Sequence, residues 1–362
     1  MKQRPDRGPR RGRLLAVTVV GALALFGPGS AAASARTAGA PDGQGSTTEL
    51  PFAYHSDLET DARHQRLYIS DRVTGSVLVT DFDGQVVRKL DGLPGAADLA
   101  LSEDDRTLYV ALADGDAVVA LDTATYRQKA RYPTGEGTGP AQLAAAGGKL
   151  WFSHGEDWES SIGSLDLDGP KPVVRLNLTP EGYWGGPPRL TASPAAPGRL
   201  VAGEQYMSNA GVTVYDVSSG TPKPLVAQDN PGDLGALTGL ALTPDGKSLL
   251  ATGGYPYHHL SLALGSLEVD HIYPTVAYPT ASAVSARGAV AAGVDNSWGE
   301  DVYLFRQDGS EPYRVVDFDP GTGSYLRPNG LAWSPDGTRL FAVTGTDGPR
   351  LSLRVVTAAD PR

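Results

Sequence analysis

The feature that most narrows the folds open to this chain is an internal repeat. Residues 56–69, SDLETDARHQRLYI, align without a gap on 97–110, ADLALSEDDRTLYV. Both align on 238–251, TGLALTPDGKSLLA, and on 329–342, NGLAWSPDGTRLFA. Each stretch reads as a short apolar strand, a tight polar turn and a second strand that opens on Leu and a further apolar residue. Pro244-Asp245-Gly246 and Pro335-Asp336-Gly337 make the turn. Proline presets φ, aspartate bonds its own backbone, and glycine accepts positive φ. The second strands open at Leu67, Leu108, Leu150, Leu200, Leu249, Ala289 and Leu340, spaced 40 to 51 residues apart. A repeat of about 45 residues cannot bury its own apolar faces and must stack on its neighbours.

Third strands follow at 77–80, 117–121, 162–165, 212–215, 259–263 and 302–305, and fourth strands at 86–90, 172–176 and 313–318. No sustained helical periodicity follows residue 35. Seven units of four antiparallel strands predict an all-β, seven-bladed β-propeller over residues 49–358. The last unit supplies three strands, and residues 49–54 precede the first blade without belonging to it. They are predicted to complete blade seven, so that an N-terminal strand closes the ring and removes its open edges.

The first 35 residues read as a signal peptide. Lys2 and five arginines precede an apolar run from Leu14 to Phe26, which is too short to span a bilayer as a mature helix. Ala33-Ser34-Ala35 fits signal-peptidase cleavage before Arg36. The expected location is therefore extracellular or at the cell envelope, reached by the general secretory or the twin-arginine route. Residues 36–48, RTAGAPDGQGSTT, read as a flexible leader.

Composition excludes several classes of chemistry. With no cysteine, the chain has no disulfide, no thiol nucleophile, no Cys-ligated zinc and no lipoprotein anchor. Beyond residue 35 there are 25 basic and 40 acidic residues, a net charge of −15 that disfavours nucleic acid and anionic lipid. No zinc-protease, nucleophile-elbow or phosphate-loop motif occurs. No cofactor and no membrane span after cleavage are expected, and a monomer is anticipated.

The units resemble YVTN-type β-propeller repeats of bacterial secreted and surface proteins, a WD40-like architecture. The residues that carry the resemblance are Leu67-Tyr68-Ile69-Ser70-Asp71, Leu108-Tyr109-Val110-Ala111, Val77-Leu78-Val79-Thr80-Asp81 and Ser334-Pro335-Asp336-Gly337. Blades three, four and six lack the Pro-Asp-Gly turn. The resemblance implies the fold and leaves the activity open. A shorter stretch, Arg327-Pro328-Asn329-Gly330 and the strand after it, resembles gluconolactonase-type propellers. That resemblance implies a metal-dependent lactonase, with Asn329 and Glu59 as ligands and Asp295 or Asp98 completing the set.

The loops expected on one face of the ring are rich in aromatic residues. Trp158, Tyr183, Trp184, Tyr255, Tyr257, Trp298 and Tyr325 are the candidate ligand-binding residues there, with Tyr206 and Tyr278 nearby. Flat apolar rings beside polar groups suit sugars or peptide segments, or the rings tuck down as local cores. His154-Gly155-Glu156-Asp157-Trp158-Glu159 and residues 295–301 combine a tryptophan with carboxylates and read as solvated acidic loops. His258 and His259 are adjacent in a strand, so alternation sends them to opposite faces. The leading expectation is a non-enzymatic scaffold that binds protein, peptide or glycan, with the lactonase as the alternative.

Overall fold

Among the described residues, 28 strands form seven separate four-stranded antiparallel sheets, and the only helical pieces are three 3₁₀ turns. The computed structural model describes residues 44–362 other than 53, 181, 206, 277, 297–298, 319–323, 347–349, 358 and 360–362. The expected signal segment, its cleavage point after Ala35 and the leader as far as residue 43 lie outside the described residues.

Six sheets each use four consecutive strands. The first runs Asp57–Asp61, Arg66–Asp71, Ser76–Asp81 and Val86–Leu90. The innermost strands of blades one to seven are Asp57–Asp61, Ala96–Leu101, Gln142–Ala146, Arg189–Thr191, Gly235–Leu242, Pro279–Val284 and Tyr325–Trp333. Each touches the next, and the last touches the first. The architecture is a closed, seven-bladed β-propeller.

The apolar side chains form seven clusters, and each cluster joins two neighbouring blades. Leu67, Ile69 and Leu78 of blade one pack on Phe341, Val343 and Leu353 of blade seven. Tyr68, Val77 and Val79, on the other face of blade one, pack on Leu99, Val110 and Val119 of blade two. Alternation along each strand thus serves two interfaces at once. The hydrophobic effect therefore acts between blades, and no blade has a core of its own.

The turns between first and second strands keep one device even where Pro-Asp-Gly is absent. In blades five and seven the hydroxyls of Thr243 and Ser334 donate to Asp245 and Asp336, and they accept the amides of Ser248 and Arg339. In blade six the Ser285 hydroxyl accepts the amides of Arg287 and Ala289. The later turns led by Asp81, Asp122, Asp166 and Asp216 use the carboxylate to accept amides two or three residues on. Blade six's second strand begins at Val290, one residue later than the repeat indicates.

The ring closes where expected in topology, with the strand displaced in sequence. The closing strand is Gln44–Leu50, paired antiparallel with Leu351–Thr357, and not 49–54. Pro51 has no amide hydrogen to continue the ladder. Phe52 beyond it turns into the core between blades seven and one. Part of the stretch read as a flexible leader is therefore ordered strand. Its glycine has a packing reason, because a Cβ on Gly45 would lie 2.5 Å from the Val355 carbonyl oxygen. The Ser46 hydroxyl donates to the Asp83 carbonyl, and Thr48 Oγ1 donates to the Gly84 carbonyl at 2.8 Å. Arg339 of blade seven pairs with Asp83 of blade one at 2.9 Å. Leu50 is buried against this seam. Leu50→Ala is expected to lower the free energy of unfolding in urea by about 2–5 kcal/mol. A loss under ~1 kcal/mol would mean that the closing strand is not clamped.

Candidate binding face and central channel

Loops that enter the innermost strands, and loops that join second to third strands, lie on one face of the ring. Every exposed aromatic ring among the described residues belongs to these loops, apart from Tyr255, which ends the second strand of blade five where such a loop begins. Tyr54 precedes blade one, Trp158 and Tyr183 flank blades three and four, and Tyr255, Tyr257 and Tyr278 flank blades five and six. Trp158 is 57 % exposed and Tyr257 54 %. Tyr257 and Tyr278 meet edge to face with centroids 5.2 Å apart. Tyr183 keeps its ring partly in solvent while its hydroxyl meets Thr213 Oγ1 at 3.0 Å. Tyr325 is half-buried, and the Arg327 guanidinium lies over it and over Tyr54 at 5.6 and 5.8 Å.

One expected platform residue is placed differently. Trp184 is 1 % exposed and packs with Trp151 and Tyr215 in the core between blades three and four. Its ring is offered to the interior, because a long loop at that point has room to fold an aromatic beneath Tyr183, whose ring meets it edge to face at 4.8 Å. Trp298 and Tyr206 lie outside the described residues. In the acidic loop of blade three, Glu156, Asp157 and Glu159 are not buried, and Asp157–Glu159 forms a 3₁₀ turn. His259 is fully buried, with its Nε2 3.2 Å from the Ala281 carbonyl, while its neighbour His258 is half-buried.

The channel is built by a shared register. Asp57, Gln142, Arg189, Gly239 and Ala281 each pair with the fourth residue of an equivalent second-strand segment, and Asp98 and Gly330 hold the same place in blades two and seven. Bulges in the inner strands of blades two, five, six and seven interrupt pairing at this level. A bulge re-aims side chains. The largest, at Arg327-Pro328-Asn329-Gly330, holds Asn329 at φ +58°. A Cβ on Gly330 would lie 2.7 Å from the Arg327 carbonyl oxygen, so this bulge requires glycine.

Arg189 of blade four reaches across the ring to blade seven. Its Nη1 donates to Asn329 Oδ1 at 3.1 Å, and Nη2 makes a long contact of 3.5 Å to Gln205 Oε1. The Asn329 amide in turn donates to Asp57 Oδ1. Two aspartates also staple neighbouring blades in the same manner. Asp57 Oδ2 accepts the Leu99 amide at 3.1 Å, and Asp98 Oδ2 accepts the Leu143 amide at 2.6 Å.

Below this bridge lies a cavity of about 410 Å³. Asp57, Glu59 and Asp98 line one arc and Gln142, Arg189 and Thr191 the next. Leu240, Ala241, Ala283, Val284 and Ala332 make an apolar arc on blades five to seven. Ala286, Ser334 and Pro335 of the first turns stand at its rim, and no aromatic-face loop residue lines it. The cavity therefore opens on the face opposite the exposed aromatics.

Electrostatics follow from this seclusion. Burial, together with the charges of Asp57 and Asp105, pushes the Glu59 carboxyl up to about 8. Burial and the neighbouring Asp57 hold Asp98 well above the ordinary carboxylate range. Asp57 is also raised by burial, against the opposing pull of the Leu58 amide and Arg189. His55, above the bridge, is held down to about 3 by burial and the nearby Arg327.

The structure brings Asn329, Glu59 and Asp98 to one cavity and leaves Asp295 out of its lining. These residues do not fit a metal. The Asn329 oxygen that would ligate is taken by a guanidinium, and among the described residues no group of three His, Asp or Glu side chains is placed to hold an ion. Arg189 escaped the sequence reading because blade four lacks the turn that sets register. The available signal was the gapless alignment of Asp57 on Asp98, which marks a position repeated around the channel.

No family model matches the chain, and no curated protein matches it. Solved structures do. The β-propeller domain of Cps50 (Swd1) from Myceliophteria thermophila superposes with a TM-score of 0.63 at 18 % identity, over 86 % of this chain and 98 % of that one. Kuenenia stuttgartiensis hydrazine synthase superposes with a TM-score of 0.62 at 18 % identity, over 88 % and 99 %. At this identity the likeness establishes the fold alone.

Glu59 gives a pH test. The native side chain keeps its proton to about pH 8, whereas the unfolded chain loses it near 4.5. Its contribution to stability is thus complete below about 4.5 and lost as pH rises through about 8. Between pH 5 and pH 9 the wild type is expected to lose about 4 kcal/mol more stability than Glu59→Gln. Denaturant unfolding at the two pH values checks this, and parallel losses would contradict it.

Proposed function

We propose that this chain is an exported, non-enzymatic binding scaffold whose aromatic face engages a polypeptide or glycan outside the cell or at its envelope. The observation that carries the reading is the segregation of exposed rings. Among the described residues Tyr54, Trp158, Tyr183, Tyr257 and Tyr278 occupy loops of one face, and Tyr255 ends the strand that enters one of them. The exposed aliphatic side chains lie mostly on outermost strands. Rigid rings give large contact area at low entropic cost and favour sugar faces and peptide segments. Export is supported by the basic-then-apolar segment and the Ala33-Ser34-Ala35 site. The acidic balance favours neutral or basic partners over nucleic acid. A metal-dependent lactonase is not proposed, because Arg189 occupies the Asn329 oxygen.

The test is retention of the purified protein on cell-wall glycan and on immobilised envelope protein. The double variant Trp158→Ala/Tyr257→Ala is expected to bind at least about tenfold more weakly, the loss typical of truncated aromatic anchors. Its melting temperature should be unchanged, because both rings are exposed. Equal retention of wild type and variant would remove the aromatic face from the account.

A further inference from the structure

The channel cavity is lined by one guanidinium and three carboxyl groups that form no ion pair with it. Arg189 is only 9 % exposed, yet its guanidinium is held by neutral amide oxygens, and its Nε has no partner. Among the described residues no ion pair joins it to Asp57, Asp98 or Glu59. Asp98 is 6 % exposed, and its one hydrogen bond is to a backbone amide. Buried charges in proteins are ordinarily paired, since an isolated one costs several kcal/mol. Here the cation stands on blade four and the carboxyls on blades one and two, with about 410 Å³ of space in the cavity they share. The third arc of the wall, led by Leu240, Ala283 and Val284, is apolar.

We propose that this cavity binds an apolar α-amino acid as its zwitterion, with the carboxylate toward Arg189, the ammonium toward Asp98 and Glu59, and the side chain against the apolar arc. One ligand then brings an anion to the guanidinium and a cation to the carboxyls, and covers the wall between them. A simple amine would leave the guanidinium without an anion, and a simple carboxylate would leave the acids without a cation. The volume lies in the lower part of the range for small-molecule pockets and suits a molecule of amino-acid size. Burial raises Asp98 and Glu59 above the ordinary carboxylate range, so a cation placed beside them would be favoured over bare ionised carboxylates. The rim of first-turn residues gives entry from the face opposite the aromatic loops, so this site is independent of the surface in the preceding section.

The test titrates each of the twenty amino acids into the purified protein by calorimetry. At least one of leucine, isoleucine, valine, methionine and phenylalanine is expected to bind saturably. For the tightest of them, the amine lacking the carboxylate and the acid lacking the amine should each bind at least about tenfold more weakly, the loss expected for one charged hydrogen-bonding partner. These truncated ligands act on the wild-type protein, so the result does not depend on a variant that folds. Glu59→Gln should weaken binding by about tenfold, and Trp158→Ala/Tyr257→Ala should leave it unchanged. Failure of all five of these apolar amino acids to bind, whether or not a polar one does, would overturn the proposal. An amine that binds as tightly as its parent amino acid would do the same, reducing the cavity to a cation site. An equally tight carboxylic acid would also overturn it.

Discussion

Everything in this molecule rests on one antiparallel pairing, that of Thr47–Leu50 with Leu351–Arg354. A blade is a four-stranded sheet with two apolar faces and no interior of its own. It is stable only between two neighbours, so a row of blades with free ends would expose one apolar face at each end. Pairing the first strand with the last makes blade seven complete from both ends of the chain. The row becomes a ring, and the seventh interface, with Leu50, Phe52, Phe341 and Leu353, becomes equal in kind to the other six. Closure also fixes the radius at which seven inner strands meet, and hence the width of the channel.

That width explains why a single arginine spans the centre. At the register shared by Asp57, Asp98 and Arg189, the blade-four guanidinium reaches the blade-seven amide, and the amide reaches a blade-one carboxylate. The contact ties together blades far apart in sequence and separates the aromatic face from the cavity beneath. The two ends of the channel thereby acquire different chemistry. One presents rings on loops, and the other opens onto acids, a buried cation and an apolar wall.

The ring was largely legible in the sequence because it comes from a repeated local pattern. Leu67, Leu108, Leu150, Leu200, Leu249 and Leu340 each lie one residue inside a second strand. The turn chemistry of Thr243 and Ser334 is what the Pro-Asp-Gly stretches imply. Closure followed from counting strands. Its position did not, because Gly45 looks like linker composition and acquires its meaning only from the Val355 backbone beside it. The channel site was half-visible. Asp98, Glu59 and Asn329 stood out by alignment or resemblance, but the partner that decides their chemistry, Arg189, comes from a blade without a recognisable turn. Trp184 shows the same limit from the other side. A tryptophan in a long loop reads as exposed until the core between two blades is known to receive it.

The measurement that bears most directly on this account is native-state hydrogen exchange resolved by segment, with peptides covering 46–50 and 351–356. If the ends are welded into one blade on which the whole ring depends, both segments should open only with global unfolding. Their exchange free energies should then equal those of the inner strands of blades three and four, and all should respond alike to denaturant. If residues 46–50 instead exchange as a frayed terminus while the rest of the ring remains protected, the closing strand is an accessory, and closure is not what holds the propeller together.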